Sequence, residues 1–337
     1  MSKGTKAFRI TISILLALSI LSIALLIHDV YYLDVAMDNQ ETYRISVAGV
    51  EVTIKNKNDI LGDGTVSYDP DMRMLFFENA EITTDESMIV SMTDIGIYLI
   101  GENKFISSGD GYNVFISAAD YYNSKDIYIH GDGSLTIEYL NSCTDSAAIQ
   151  CDDLTILSDV TLTTPHSENI SNGIVCDSSF KLLNGATVTV NGSSAKSLLA
   201  FRVRGNVLME ADTAINVTVE KGSTDLSKAV YINGDLVLGN GASVNVTTEE
   251  DTAPVVECLR VDGLIEVGVG ATLTASSAKS YAVECYGAMK LCDDAVVSAT
   301  TKDGDVDIIC YGAVTNYGAT VNGEIEALGQ LFDKTEK

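Results

Sequence analysis

No tryptophan occurs in the 337 residues, and there are only three prolines and three histidines. Without Trp, an aromatic platform for sugars has to be built from tyrosine. Only His130 and His166 lie beyond the N-terminal hydrophobic region, which leaves little material for acid–base or zinc chemistry. Cationic residues are scarce as well: 21 Lys and Arg stand against 47 Asp and Glu, for a net charge of −26. That balance excludes nucleic acid as a partner, because a phosphate backbone needs clustered Lys and Arg. The cysteine count is seven, an odd number that completes no disulfide framework. What the chain does have is a 46% apolar content rich in Val, Ile, Thr and Gly, the composition of a β protein. The carboxylate surplus keeps an exported chain soluble and offers oxygen ligands to divalent cations.

The N-terminus reads as an export signal. Lys3, Lys6 and Arg9 precede an unbroken apolar run from Ile10 to Ile27. Eighteen residues at about 1.5 Å each span about 27 Å of a bilayer core that is about 30 Å thick. The basic side stays in the cytoplasm, so everything from His28 onward is expected outside. Two outcomes fit: an uncleaved membrane anchor through residues 10–27, or a cleaved signal peptide with Ala36 as the only small residue near a cleavage point. The expected location is extracytoplasmic, membrane-anchored or secreted.

Internal repetition decides the fold. Strand starts fall near Ile127, Leu154, Phe180, Val207, Leu236, Leu264, Met289 and Val314, separated by 25 to 29 residues. Each unit holds three short alternating runs divided by Gly, Asn or Asp, such as "LTIL", "VTLTT" and "GIVC" from residue 154. Three strands per repeat with no helical stretch between them describe an all-β, single-stranded parallel β-helix of about nine coils, right-handed by general precedent. Equivalent strands stack about 4.8 Å apart.

The phrases "VVECLRV", "AVECYGA" and "IICYGAV" place the cysteines. In the third strand, alternation sends inward the pairs Ile149/Cys151, Ile174/Cys176, Phe201/Val203, Val230/Ile232, Val256/Cys258, Val283/Cys285 and Ile308/Cys310. A column that accepts Val and Ile in place of Cys wants a small apolar filler, so these are expected to be core thiols rather than metal ligands or disulfides. Cys143 and Cys292 fall outside the column, too many coils apart to pair.

The expected organisation is a basic tail over 1–9, the hydrophobic helix over 10–28, a linker over 29–42 and a capping segment over 43–73. The β-helix follows over 74–322, with a C-terminal cap over 323–337. The cap protects the open end, where bare strands would invite edge-to-edge pairing. At the other end Ile325, Leu328, Leu331 and Phe332 are spaced as in a short closing helix.

Residues 47–82, "VAGVEVTIKNKNDILGDGTVSYDPDMRMLFFENAEI", carry a V-x-G-V-x-V-T element, an Asn-rich turn and D-I-L-G-D-G-T-V-S-Y-D. This segment resembles a lead-in of exported surface proteins of clostridia and related gut bacteria, where it precedes β-helix coils. The coils are similar in pattern to the clostridial carbohydrate-binding β-helix family, which is credited with binding polysaccharides with help from calcium. The resemblance implies a surface-associated, glycan-binding role and supplies no catalytic residue.

Three features are candidates for chemistry. The middle strand turns out Thr161 and Thr163, Thr187 and Thr189, Asn216 and Thr218, Asn245 and Thr247, Thr272 and Thr274, then Ser298, Thr300, Thr320 and Asn322. A flat grid of hydroxyls and amides would hydrogen-bond an extended polysaccharide, although a solvated strand face rich in Thr needs no ligand to explain it. Glu257, Glu284, Asp305 and Asp307 alternate outward on neighbouring coils and would suit Ca²⁺, although an acidic face is commonly just solvated. Tyr121 and Tyr122 in "ADYYNSKD" would stack on sugar rings, although packing explains most tyrosines.

A polysaccharide-active β-helix enzyme is the rival class. Paired carboxylates across a cleft, with a His or Arg-Lys set, are its requirement. Neither His130 nor His166 aligns with a double Asp, the adjacent Asp152 and Asp153 diverge from one turn, and the outward bases Lys181, Arg202 and Lys290 are scattered. The expectation is a non-catalytic surface binding or adhesion module with a glycan ligand; a purely structural stalk and a divergent lyase or hydrolase are the alternatives.

Overall fold

A computed structural model describes residues 42–333, apart from 111–112, 120–123, 165, 193–194, 221–224, 250–252 and 303–305. The hydrophobic run 10–27 and the tyrosines Tyr121 and Tyr122 therefore lie outside the described residues. Among the described residues, 44–52 and 56–333 form one compact unit. Among the described residues every regular element is a β-strand.

The strands build three sheets of twelve, twelve and ten members, and from Met74 onward each sheet takes every third strand of the chain. This is a parallel β-solenoid of about eight regular turns, opening at Ile127, Leu154, Phe180, Val207, Leu236, Ile265, Met289 and Val314. Two less regular coils precede them, starting at Met74 and Ile95. Face 1 consists of three-residue strands such as Phe180–Leu182 and Leu236–Leu238, with the outer two residues buried and the middle one outward. Face 2 consists of longer alternating strands such as Ala214–Val219 and Ser243–Thr248. Face 3 is longest, reaching ten residues in Ser167–Cys176. Val, Ile and Leu recur at the inward positions because a branched side chain suits a pleated wall, and each fully buried one contributes about 1.5–3 kcal/mol.

The inner column of face 3 climbs in register through Ile149, Ile174, Phe201, Val230, Leu259, Val283 and Ile308. Beside it climb Cys151, Cys176, Val203, Ile232, Val261, Cys285 and Cys310, all at most 1% exposed. The expected pair Val256/Cys258 is corrected to Leu259/Val261, a slip of three residues. Cys258 belongs to a different column, the residue just before each inward pair, occupied elsewhere by Ala148, Gly173, Ala200, Ala229 and Ala282. There the strand bends and two consecutive side chains point inward, so small groups fill the column until the coil of Ile308–Cys310, where Asp307 takes the position and is only partly buried. At Gly173 a Cβ would collide with the carbonyl oxygen of Ala200. Cys151, Cys176, Cys258, Cys285, Cys292 and Cys310 are all free thiols.

The solenoid edges at the two ends differ. At the start, Ile45, Ser46 and Val47 pair antiparallel with Ser91, Val90 and Ile89, and Val66–Asp69 pairs antiparallel with Met74–Phe77. At the far end the expected closing helix is replaced by two further strands, Ile325–Ala327 and Leu331–Asp333. They pair parallel with Ile308–Cys310 and Val314–Asn316. The free backbone edges of the preceding coil are the partners that turn a helix-spaced sequence into strands.

Candidate functional site

The outward side of face 2 is the most regular polar surface. Its central column runs in register through Thr136, Thr161, Thr189, Asn216, Asn245, Thr274, Ser298 and Asn322. A second column carries Thr163, Asn191, Thr218, Thr247, Ser276 and Thr300. Thr187 and Thr272 belong to a third, which also holds Ala214, Ser243, Val296 and Thr320. Thus Thr189, not Thr187, stacks on Thr161, and Thr274, not Thr272, stacks on Asn245. Beneath them Val188, Val190, Ile215, Val217, Val244, Val246 and Leu273 are buried, which fixes the polar residues on the outside.

Side chains link along these columns. Asn245 donates to Asn216 through Nδ2···Oδ1 at 2.9 Å, Asn322 donates to Ser298 at 3.1 Å, and Thr300 donates to Ser276 at 3.3 Å. An amide has two donors and two acceptor lone pairs, so one ladder bond orients the group and leaves capacity for a ligand. The face is held rigid by the strands that carry it, and that lowers the ordering cost of binding.

The acidic candidates do not converge. Glu257 stands opposite Lys228, not opposite Tyr231, and Arg260 takes the outward place next to Glu284. The Glu257 carboxylate lies 2.7 Å from Lys228 Nζ and 3.5 Å from Arg260, with both Lys228 and Glu257 side chains under one-fifth exposed. Asp307 caps backbone: it accepts from Thr301 N at 2.8 Å and from Glu324 N at 2.9 Å. Asp305 lies outside the described residues. Among the described residues no three His, Cys, Asp or Glu are placed to hold a metal ion.

Two neighbouring carboxylates weighed for catalysis also turn out to have separate roles. Asp153 accepts from Ser179 N and Oγ, both at 2.7 Å, and Asp126 accepts from Asp153 N at 3.2 Å. These bonds tie each corner to the next. The pKa of Asp152 is raised by burial and by the charges of Asp153, Asp126 and Asp177.

Sequence reasoning missed an outward cluster on face 3. Arg260 lies over Tyr231 at 5.2 Å and over Tyr286 at 4.6 Å, and Tyr286 stacks on Tyr311 with ring centroids 4.5 Å apart. Burial works against the Arg260 charge, but the hydrogen bond to Asp262 and the charges of Glu257 and Asp262 raise its pKa regardless. Desolvation, then the hydrogen bond to Glu284, pushes Tyr286 up to about 12. Tyr286 packs against both Arg260 and Tyr311, so its ring is already engaged within the cluster. The signal is present as "VYI", "LRV", "VECY" and "IICY" once the bend residue is used to align them.

Three of the buried thiols, Cys151, Cys258 and Cys285, are poor nucleophiles. Desolvation pushes Cys258 up to about 12. In the stacked pairs, a hydrogen bond to the partner thiol together with burial raises Cys151 and Cys285. The hydrogen bond within the Cys285–Cys310 pair lowers Cys310 to about 7, but its sulfur is buried, and the column is packing material.

No helix among the described residues is long and apolar enough to cross a membrane. Comparison with protein-family models, with curated proteins and with solved structures finds no match for this chain.

Proposed function

We propose that the protein is a non-catalytic surface protein, extracytoplasmic and tethered or exported through residues 10–27, whose solenoid binds a polysaccharide. The observation that carries this is the central column of face 2, with one hydroxyl or amide per coil in register from Thr136 to Asn322. A repeating polymer presents hydroxyls at a fixed interval, and a surface that repeats every strand, about 4.8 Å, can meet many of them at once. Each contact is weak alone, and the avidity comes from their number. The export signal and the resemblance of residues 47–82 to surface-protein lead-ins support the same setting.

The test is retention of the full chain, in detergent, on a panel of insoluble polysaccharides, with and without EDTA. Retention on at least one is expected. Thr189→Val combined with Asn216→Ala and Thr274→Val should weaken it at least about tenfold, the equivalent of about 1.4 kcal/mol. EDTA should leave retention unchanged, since Glu257 and Asp307 are already committed to other groups. Failure to bind any member of the panel would overturn the proposal, and release of reducing ends would overturn its non-catalytic part.

A further inference from the structure

The outer side of face 1 begins with an aromatic ladder that breaks off abruptly. His130 stands beside Tyr98, and Tyr98 beside Phe76, in strand register. Their rings follow one another at centroid distances of 4.9 Å and 5.4 Å. The next position in register is Ser67, on the antiparallel strand Val66–Asp69. A ring-sized step down from phenyl to hydroxymethyl leaves a recess, and a cavity of about 360 Å³ opens there, lined by Lys57, Asn58, Ser67, Asp69, Asp71 and Phe76 among others. That volume lies within the range of small-ligand sites, about 300–1,000 Å³.

The recess is preformed. Asp69 Oδ1 accepts from Asp71 N at 2.8 Å and from Met72 N at 3.2 Å, which pins the turn on one side. Tyr68 N donates to Lys57 O at 2.6 Å, which ties the other wall to the strand. One wall is the phenyl face of Phe76; the rest is carboxylate, amide, hydroxyl and ammonium.

We propose that this recess is a saccharide subsite that takes one pyranose ring in the place where the ladder stops. A pyranose has an apolar C–H face, which suits Phe76, and a rim of hydroxyls, which suits Asn58, Ser67, Asp71 and Lys57. Two carboxylates against one ammonium make it a site for a neutral or amino sugar and not for a uronate. The inference deepens the polysaccharide reading and rests on it, but it places the ring-recognising contact on a different face from the threonine column.

The experiment titrates the full chain in detergent with cellohexaose, chitohexaose and hexagalacturonate by calorimetry. Ser67→Phe fills the recess with the ring the ladder lacks, so its melting temperature should not fall while affinity drops at least about tenfold. Phe76→Ala should lose affinity similarly, and hexagalacturonate should be the weakest ligand. Ser67→Phe binding as tightly as the parent would overturn the subsite, as would preference for hexagalacturonate. If the parent binds these ligands and only the face 2 variants weaken it, the subsite fails alone; if the parent binds none of them or any insoluble polysaccharide, the broader reading fails with it.

Discussion

Exchanging Cys258 and Cys285 for larger apolar residues separates the two columns of face 3. Cys258 occupies the bend position between Ala229 and Ala282 and is 1% exposed. Its sulfur already lies 3.6 Å from Val246 O and 3.4 Å from Ser276 O, so the site is closed by face 2 of its own and the following coil. Cys258→Ile adds branched carbon where no volume is available, and overpacking of this kind costs roughly 1–3 kcal/mol, about a 5- to 150-fold shift in the unfolding constant. Cys285 stacks directly on Val261 in a column that also holds Val203 and Ile232. Cys285→Val is close to volume-conserving and should cost less than about 1.5 kcal/mol. Guanidinium unfolding of the full chain in detergent, followed by circular dichroism, gives the comparison. Hydrogen exchange over 255–261 locates the loss, since coil stabilities in a solenoid add nearly independently. If Cys258→Ile proves as stable as Cys285→Val, Cys258 sits in the Val-and-Ile column and the three-residue correction is wrong.

Two further expectations concern charge. Lys228→Met strands a Glu257 carboxylate that is only 17% exposed, leaving Arg260 as its remaining partner, and should cost about 2–3 kcal/mol in chemical denaturation. Lys104→Met removes a pair to Glu138 whose side chains are about 40% exposed and should leave the unfolding midpoint nearly unchanged, so equal losses would refute the distinction. Burial lowers the pKa of His130 below its ordinary 6.5. The folded state therefore resists protonation while the unfolded state accepts it, so the contribution is intact above about pH 6.5 and is lost as pH falls through the folded value. His130→Phe keeps the ladder and removes the titration, so its stability should fall less than the parent's between about pH 6.5 and 5; parallel curves would contradict this.

The solenoid was legible because its inner columns repeat one chemical demand per coil. The phase of each column was harder to read. On face 2 a shift of two residues leaves alternation intact, so Thr187 and Thr189 look equally suited to stack on Thr161, and only the paired backbone decides. On face 3 the bend breaks alternation: in "VVECLRV" Val256, Cys258, Leu259 and Val261 are all buried, and only the register shows that Leu259 and Val261 are the pair that joins the column. The short phrases AIQC, GIVC, AFRV, AVYI and AVEC carry the better alignment, with CLRV as its sixth member. The closing strands defeated a helical spacing because unpaired edges at Cys310 and Asn316 outweigh a weak local preference. The recess over Ser67 had no sequence signature, since it depends on an antiparallel register that sets Ser67 against Phe76.

Successive regular coils from Ile127 to Val314 start 24 to 29 residues apart, yet the ladders of faces 1 and 2 keep their alignment across them. The surplus residues are absorbed at corners, where the entropy cost of added length grows only logarithmically. A lineage carrying this scaffold is therefore at liberty to lengthen, trim or decorate its corners one at a time, and new recognition chemistry can be acquired there without renegotiating the interior.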